Sequence, residues 1–583
     1  MTVNYANTVY LTNTCFQNNQ TINSVDCQNI PWVNNDATMA FWNCRNLAAI
    51  TGLNENITTL GGDIYYGAFS GCVKLINAPS IPNSVTSLSS TFSDCAILKD
   101  GPSIPNSVTN MYRTFTYDWN LINAPDIPPS VTQLSGTFFQ CPDLIDSPDL
   151  SNATGVTNMY ETFASCYKLS NVPAIPPSTV NMDATFRRCY ALINPPNMIS
   201  ATNVISMNGT FHGCNNLTDI PKIPNSVEVL SETFSGCRSL TTANINAQSI
   251  ATMAYCFDGC NNLTDVNIIT PACTNIKNIF SSCTNLTNIH LELDSLINAY
   301  ELFKEASKLK YLNAFLPNVT NAHNLFWNCQ NLTDSNFILN LSNAVDMTYT
   351  FENCRSITEC PITLPTTVTN LTRTFDHCVN LTTPPIIPNS VNTLEYTFGF
   401  CTSLENAPVI PNSVTNLYAT FGGCDNLRNV PALPDSITHM HGTFSLCPNL
   451  ATSPELPDSV LYLNDTYRGC SSMTTAPIIP SNVIGMWMTF ELCGNLTGNV
   501  YIYSNHVNDA TGCFYGGSLR KNVYIPFYND TPTQMYGWTL NGQTYYTTSA
   551  TPANGSSVYN ADGYAINYVV KNATASSIEL EAI

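Results

Sequence analysis

Charge is scarce in this chain. Asp, Glu, Lys and Arg make up 10% of its 583 residues, against about a quarter in an average soluble domain. Basic residues are the rarest part of that small share: 20 Lys and Arg face 40 Asp and Glu, leaving a net charge of -20. No cluster of them could neutralise a run of phosphates, which argues against nucleic acid and anionic membrane as partners. The first basic residue is Arg45, so residues 1 to 30 lack the positive start and apolar stretch of a secretory signal. Nor does any window approach the roughly 18 to 20 apolar residues of a membrane span. These absences predict a chain that folds in the compartment where it is made, without membrane insertion.

What the sequence does have is repetition. PSIPNSVTSLSSTFSDC at residues 79 to 95 returns as PVIPNSVTNLYATFGGC at 408 to 424. Aligned on Phe-x-x-Cys-x-x-Leu, the aromatics run from Phe41, Phe69 and Phe92 to Phe444, Tyr467 and Phe490, giving twenty units mostly 23 residues apart. Cys follows three residues later except at Asp118 and Ala306, and Leu three further on, with Ile357 and Met473 as substitutes. Val85, Val108 and their equivalents precede the aromatic by seven, and Leu88, Met111 and theirs by four. Apolar residues and Cys hold these columns, so the columns form the inside.

A unit this short cannot bury an apolar face alone, but stacked copies can share one continuous core. The expected fold is therefore a repeat solenoid of about twenty 23-residue units joined by short parallel strands. At the spacing of paired strands the coil would extend roughly 100 Å. Stacked prolines such as Pro79 and Pro82 cannot supply a full ladder. The ladder is accordingly expected on Ser-Val-Thr-x-Leu, with Pro-x-Ile-Pro extended and Thr-Phe-x-x-Cys forming a tight helical turn.

Residues 1–40 keep some flavour of the repeat but not its register, as a cap or attachment segment would; Trp32 and Trp42 are candidates to cover the end of the core. The solenoid proper spans 41–500. Residues 501–520 read as a terminal coil or linker, with Cys513 as a last register position. Residues 521–583 read as a small all-β module, with hairpins at Asn541-Gly542, Asn554-Gly555 and Asp562-Gly563.

The 24 cysteines invite a disulfide or metal reading, but nineteen, counting Cys513, sit in the inward column and are expected as buried free thiols. Of the rest (Cys15, Cys27, Cys256, Cys273 and Cys360), Cys256 makes a Cys-x-x-x-Cys with Cys260, yet no second pair at zinc spacing follows. His439 and His441 form a His-x-His near Asp435 with no third ligand implied, and His212 and His377 stand beside Cys214 and Cys378, which the column makes inert. No phosphate loop, Gly-x-Ser-x-Gly or His-Glu-x-x-His occurs. The expectation is no catalysis, no cofactor and no metal. The working surface should instead be the variable columns. Tyr112, Tyr160, Tyr300, Tyr418, His441 and Trp487 stand three before the aromatic, and Tyr255, Tyr349 and Tyr396 two before it. Aromatic faces lined along a coil could stack on sugar rings or anchor a protein.

The columns resemble BspA-like leucine-rich repeats, whose consensus runs through Ile-Pro-x-Ser-Val-Thr-x-Ile to Ala-Phe-x-x-Cys-x-x-Leu; DLSNATGVTNMYETFASCYKL at 149–169 is similar to a related lipoprotein-type repeat. Here Thr-Phe replaces Ala-Phe and proline is more frequent. The resemblance implies a right-handed coil of the leucine-rich-repeat type on proteins that bind or space without catalysing, found on bacterial and protozoan surfaces and in phage virions. KNVYIPF at 521–527 with the hairpins after it is similar to distal ends of gut-phage repeat proteins. That implies a bacteriophage fibre or appendage, located on the virion. It would recognise a host-surface glycan or protein and contact other virion proteins or itself through its termini. The alternative is a cell-surface or secreted adhesin.

Overall fold

The structure, a computed structural model, describes residues 10–516 except 64, 334–336, 498–499 and 505–506, and the backbone of the strands between 522 and 582. The chain divides into two compact units, residues 1–296 and 297–583. Both are built from the same coil. Among the described residues no helix is long and apolar enough to cross a membrane.

The parallel ladder runs where the Val-Thr-x-Leu segment predicts it, but it is one residue wide. Ser87, Asn110, Gln133 and Asn158 bridge in succession in the first unit, and Asn321, Asp346, Asn370 and Thr393 in the second. A one-residue bridge imposes no alternation on its flanks, so Val85 and Leu88, on either side of Ser87, are both fully buried.

Proline decides what the opposite side of the coil becomes. Where Pro79-x-Ile-Pro82 and its equivalents stand, only single bridges form, such as Asp100 to Asn123 and Asn123 to Asp146. Where the same positions carry no proline, full strands appear. In the first unit β3 (Thr242–Asn246), β4 (Asp265–Ile269) and β5 (Asn288–Glu292) pair in parallel. In the second unit β6 (Tyr311–Phe315) pairs with β7 (Phe337–Asn340) in the same way. β3 and β6 alternate exposed and buried, as a strand with one covered face should.

The Thr-Phe-x-x-Cys segment is not the helical turn expected. It is a ribbon of linked turns in which amides alternate between partners. Around Phe92, the N–H groups of Leu88, Ser90, Phe92 and Asp94 donate to Asn110, Tyr112, Thr114 and Thr116 of the next coil at 2.8–2.9 Å. Those of Thr91, Ser93 and Cys95 donate within the coil, three residues back. The alternation needs left-handed backbone two residues before and two after the aromatic: Ser90 (φ 53°) and Asp94 (φ 59°) around Phe92, Arg113 (φ 52°) and Tyr117 (φ 67°) around Phe115. A helix has no such reversals.

Inside, the aromatics form a stack. From Phe69 to Phe257 successive centroids lie 5.5–5.6 Å apart with rings within 16° of parallel. Beside them the Cys column does polar work as well as filling space. Cys141, Cys166 and Cys189 donate their thiols to the carbonyls of Phe115, Phe138 and Phe163 of the coil before. All 24 cysteines are free, and only Cys15 and Cys360 are less than buried. Burial pushes the thiols up, Cys214 to about 12, which leaves them un-ionised and unreactive near neutral pH. The Thr that replaces Ala before the aromatic has its own reason. Thr210 Oγ1 lies 2.8 Å from both the Met207 carbonyl of its own coil and the Met182 carbonyl of the coil before. Each carbonyl keeps other donors, so Thr210→Val, nearly isosteric, should cost about 0.5–1.5 kcal/mol for the lost hydroxyl bonds, seen as a lower urea midpoint that Thr210→Ser largely restores.

The register begins earlier than expected, and in the terminal coil it falls on a different residue. Phe16 stacks on Phe41 at 5.2 Å and 6°, and its N–H donates to Ala40 as later aromatics donate forward, so the segment read as out of register holds a further coil. β1 (Ser24–Asp26) pairs in parallel with β2 (Ala49–Thr51). Trp32 is buried edge-on against Phe41 at 6.2 Å, whereas Trp42 stands outside and donates to Tyr65. At the other end it is Phe514 that continues the stack, 5.6 Å from Phe490. Cys513 therefore occupies the Thr column, as Cys15 and Cys256 do, and not the Cys column predicted for it. β8 (Val500–Tyr501), which precedes it, pairs in parallel with β9 (Asn522–Phe527), and β10 (Thr531–Leu540), β11 (Gln543–Thr547), β12 (Ser557–Tyr559), β13 (Ala565–Ala573) and β14 (Ile578–Ala582) follow as an antiparallel meander. Leu540 pairs with Gln543, the register a two-residue Asn-Gly loop demands. The three predicted turn dipeptides themselves lie outside the described residues.

A candidate binding ribbon

With the residues four before, one before and at the aromatic turned inward, those two and three before it lie nearer the surface, half-buried in most coils though Ser89 and Ser90 are buried. The sequence names nine aromatic or imidazole residues there, and the structure brings five of them together. In the second unit Tyr300 stacks on His323 at 5.3 Å and 11°, and His323 meets Tyr349 edge-on at 5.3 Å. The Arg373 guanidinium lies 5.8 Å from the centre of Tyr349 and 4.4 Å from that of Tyr396. Tyr396 meets Tyr418 at 5.2 Å, and Tyr418 stacks on His441 at 4.8 Å and 21°. The result is a ribbon one side chain wide crossing consecutive coils.

The other four stay apart. In the first unit Tyr112 is held by Arg113 at 5.7 Å, and that arginine also lies 5.6 Å from Phe139 and 3.5 Å from Glu161. Ser135 separates Tyr112 from Tyr160, which is 41% exposed. Tyr255 carries Lys277 over its ring at 5.9 Å. In the second unit Trp487 is half-buried, its backbone N–H donating to Asn464 Oδ1. His439 and His441 do not act as a pair: His439 packs on Tyr462 at 4.8 Å and shares a hydrogen bond with Thr438, while His441 belongs to the ribbon. The sequence reading took Tyr, Trp and one His, His441, from these columns and passed over His323 and Arg373, which stand in them too.

The packing changes what the ribbon can offer. Rings stacked on one another cover faces that a sugar would otherwise use, so the outward chemistry is ring edges, phenol hydroxyls and imidazole nitrogens. Beneath them lie paired charges. Arg373 is 3.5 Å from Asp376 and 3.9 Å from Glu352, Lys304 is 2.7 Å from Glu301 and 5.3 Å from the ring of Trp327, and His441 is 3.6 Å from Asp465. Burial, aided by the neighbouring Asp376, raises the Glu352 carboxyl to about 7. Burial and a hydrogen bond with Tyr418 raise the Tyr396 phenol to about 12. The ribbon therefore presents phenol hydroxyls beside a row of acidic and basic side chains, a surface suited to hydrogen-bonding a polar ligand.

No curated protein matches the chain. Among solved structures, a leucine-rich repeat protein from Bacteroides ovatus ATCC 8483 is similar, at 19% identity over 69% of this chain and 81% of that one, with a TM-score of 0.40. A family profile described as the BspA type leucine rich repeat region matches residues 2–72, 62–193, 204–333, 321–451 and 396–520. With the repeating columns and parallel bridges already described, the chain belongs to the BspA-type leucine-rich repeat family.

Proposed function

We propose that the chain is a non-enzymatic adhesion protein whose Tyr300-to-His441 ribbon binds a glycan or protein on a cell surface. The continuity of that ribbon carries the reading. Rings fixed by one another and by Arg373 lose little side-chain freedom on binding, the property that makes aromatic anchors effective. Its hydroxyls and imidazoles match the hydrogen-bonding groups of a sugar chain. We further propose that the chain is carried on a bacteriophage appendage, with a cell-surface or secreted adhesin as the alternative. Thiols that bond carbonyls instead of one another suit assembly in a reducing cytoplasm.

Tyr396→Ala is expected to weaken binding to host-type cells, or to a surface-glycan array, by about tenfold or more, the loss usual for a central anchor; Tyr160→Ala should not. Equal binding by wild type and Tyr396→Ala would overturn the ribbon, and ligand cleavage by the purified chain would overturn the non-enzymatic reading. Co-sedimentation with virus particles on a density gradient would support the appendage; recovery only in cell envelope or medium would leave the adhesin.

A further inference from the structure

Behind the ribbon, three side chains from two consecutive coils converge. Glu352 and Asp376 each follow the core aromatic of their coil, Phe351 and Phe375, and His377 follows Asp376. One oxygen from each carboxylate and one ring nitrogen lie within 4.8 Å of one another. Asp376 is 1% exposed.

The carboxylates divide their oxygens. Arg373 lies against Oδ2 of Asp376 and Oε1 of Glu352, at 3.5 and 3.9 Å. Of the other pair, both buried, Oε2 of Glu352 receives no hydrogen bond, and Oδ1 of Asp376 has only His377 against it. A buried carboxylate oxygen without a donor is costly unless something cationic meets it. Oδ1 of Asp376 is 3.0 Å from Nδ1 of His377. Two ligands bound to one ion at about 2.1 Å are separated by about 3.0–3.4 Å for right-angled to tetrahedral geometry. The His377 ring is fixed on its far side by Phe400, at 4.5 Å between centroids. The following coil passes close over the carboxylate: a Cβ added to Gly399 would fall 2.6 Å from Oδ1 of Asp376. Gly399 is not in the left-handed region, so its backbone does not require glycine; its close approach to the Asp376 carboxylate does.

We infer that Glu352, Asp376 and His377 bind one divalent metal ion of the zinc class. Oε2, Oδ1 and Nδ1 are its ligands, and Arg373 orients the carboxylates from their outer oxygens, as hydrogen-bonded or charged neighbours do around metal ligands. A set mixing imidazole with carboxylates suits zinc, cobalt or manganese; calcium and magnesium prefer oxygen alone. The ligands of one coil lie 24 and 25 residues from that of the other, a spacing no local metal motif encodes, which is why the sequence reading found no site here.

The test is calorimetric titration of the untagged, metal-stripped full chain with Zn2+, Co2+, Ca2+ and Mg2+. One zinc per chain is expected, with a raised unfolding temperature, no comparable binding of calcium or magnesium, and bound cobalt lacking the charge-transfer absorption of a thiolate ligand. His377→Ala and Glu352→Gln should each lose that binding while keeping the wild-type circular dichroism; His439→Ala should keep it. Absence of zinc binding, binding that survives both variants, or a cobalt–thiolate band placing the metal on the cysteines would overturn the assignment.

Discussion

Phe211→Ala is expected to cost about 3–5 kcal/mol, the range for removing a large buried ring. Phe211 is fully buried, 5.6 Å from Phe186 on one side and 5.6 Å from Phe234 on the other, so truncation leaves a cavity bounded by two aromatic faces. The same residue sits on the inter-coil bonds: its N–H donates to Thr233 and its carbonyl accepts the Cys237 thiol. In a stack where each coil touches chiefly its neighbours, the damage should stay local. Hydrogen exchange reads this directly. The amides of Phe186 and Phe234 should lose protection while that of Phe92 keeps it. Unchanged protection beside the cavity would mean that the ring stack is not what holds adjacent coils together.

The second large effect runs the other way. Asp118 interrupts the Cys column and is fully buried; its Oδ1 accepts from the Cys95 N–H at 2.7 Å, while Oδ2 has no partner. Burial drives its carboxyl well above the ordinary range, against the smaller opposing pull of that N–H. Asp118→Cys would restore a thiol able to donate to the Phe92 carbonyl, as Cys95 and Cys141 do to Phe69 and Phe115. It should stabilise the protein at neutral pH by about 2–4 kcal/mol, the scale for relieving a buried, poorly satisfied polar group. The sign of the pH dependence follows from linkage. With the folded pKa above the unfolded value of about 4, the fold binds more protons than the unfolded chain between the two, so stability falls as pH rises through that interval. The advantage of Asp118→Cys should therefore be small near pH 4 and grow toward pH 7. Denaturation at both pH values checks it, and a pH-independent difference would show that ionisation of Asp118 is not the cause.

Features that recur inside each unit were legible from the sequence, because a buried column tolerates few residue types. The aromatic, Cys, Leu and Val columns are all found inside. The ladder position also followed, since proline removes its competitor. The turn ribbon did not, because its left-handed residues include Ser, Arg, Tyr and Phe as well as glycine, so no composition marks them. Phe16 and Phe514 escaped because the Cys three residues on is missing at the first, where Asn19 stands, and at the second, where Gly517 stands. The ribbon was half legible: the outward columns could be named, but which members touch depends on what occupies the coil between, as Ser135 shows between Tyr112 and Tyr160.

The turn ribbon also gives each stack an electrical direction. Its amides from Leu88, Ser90, Phe92 and Asp94 all point toward the following coil, and the next coil repeats the arrangement from Met111, Arg113, Phe115 and Tyr117. Dipoles aligned head to tail add, as they do along a helix. The stack therefore has a sense, its amides facing one way along it and the carbonyls they meet facing the other, even though its coils are written in nearly the same letters.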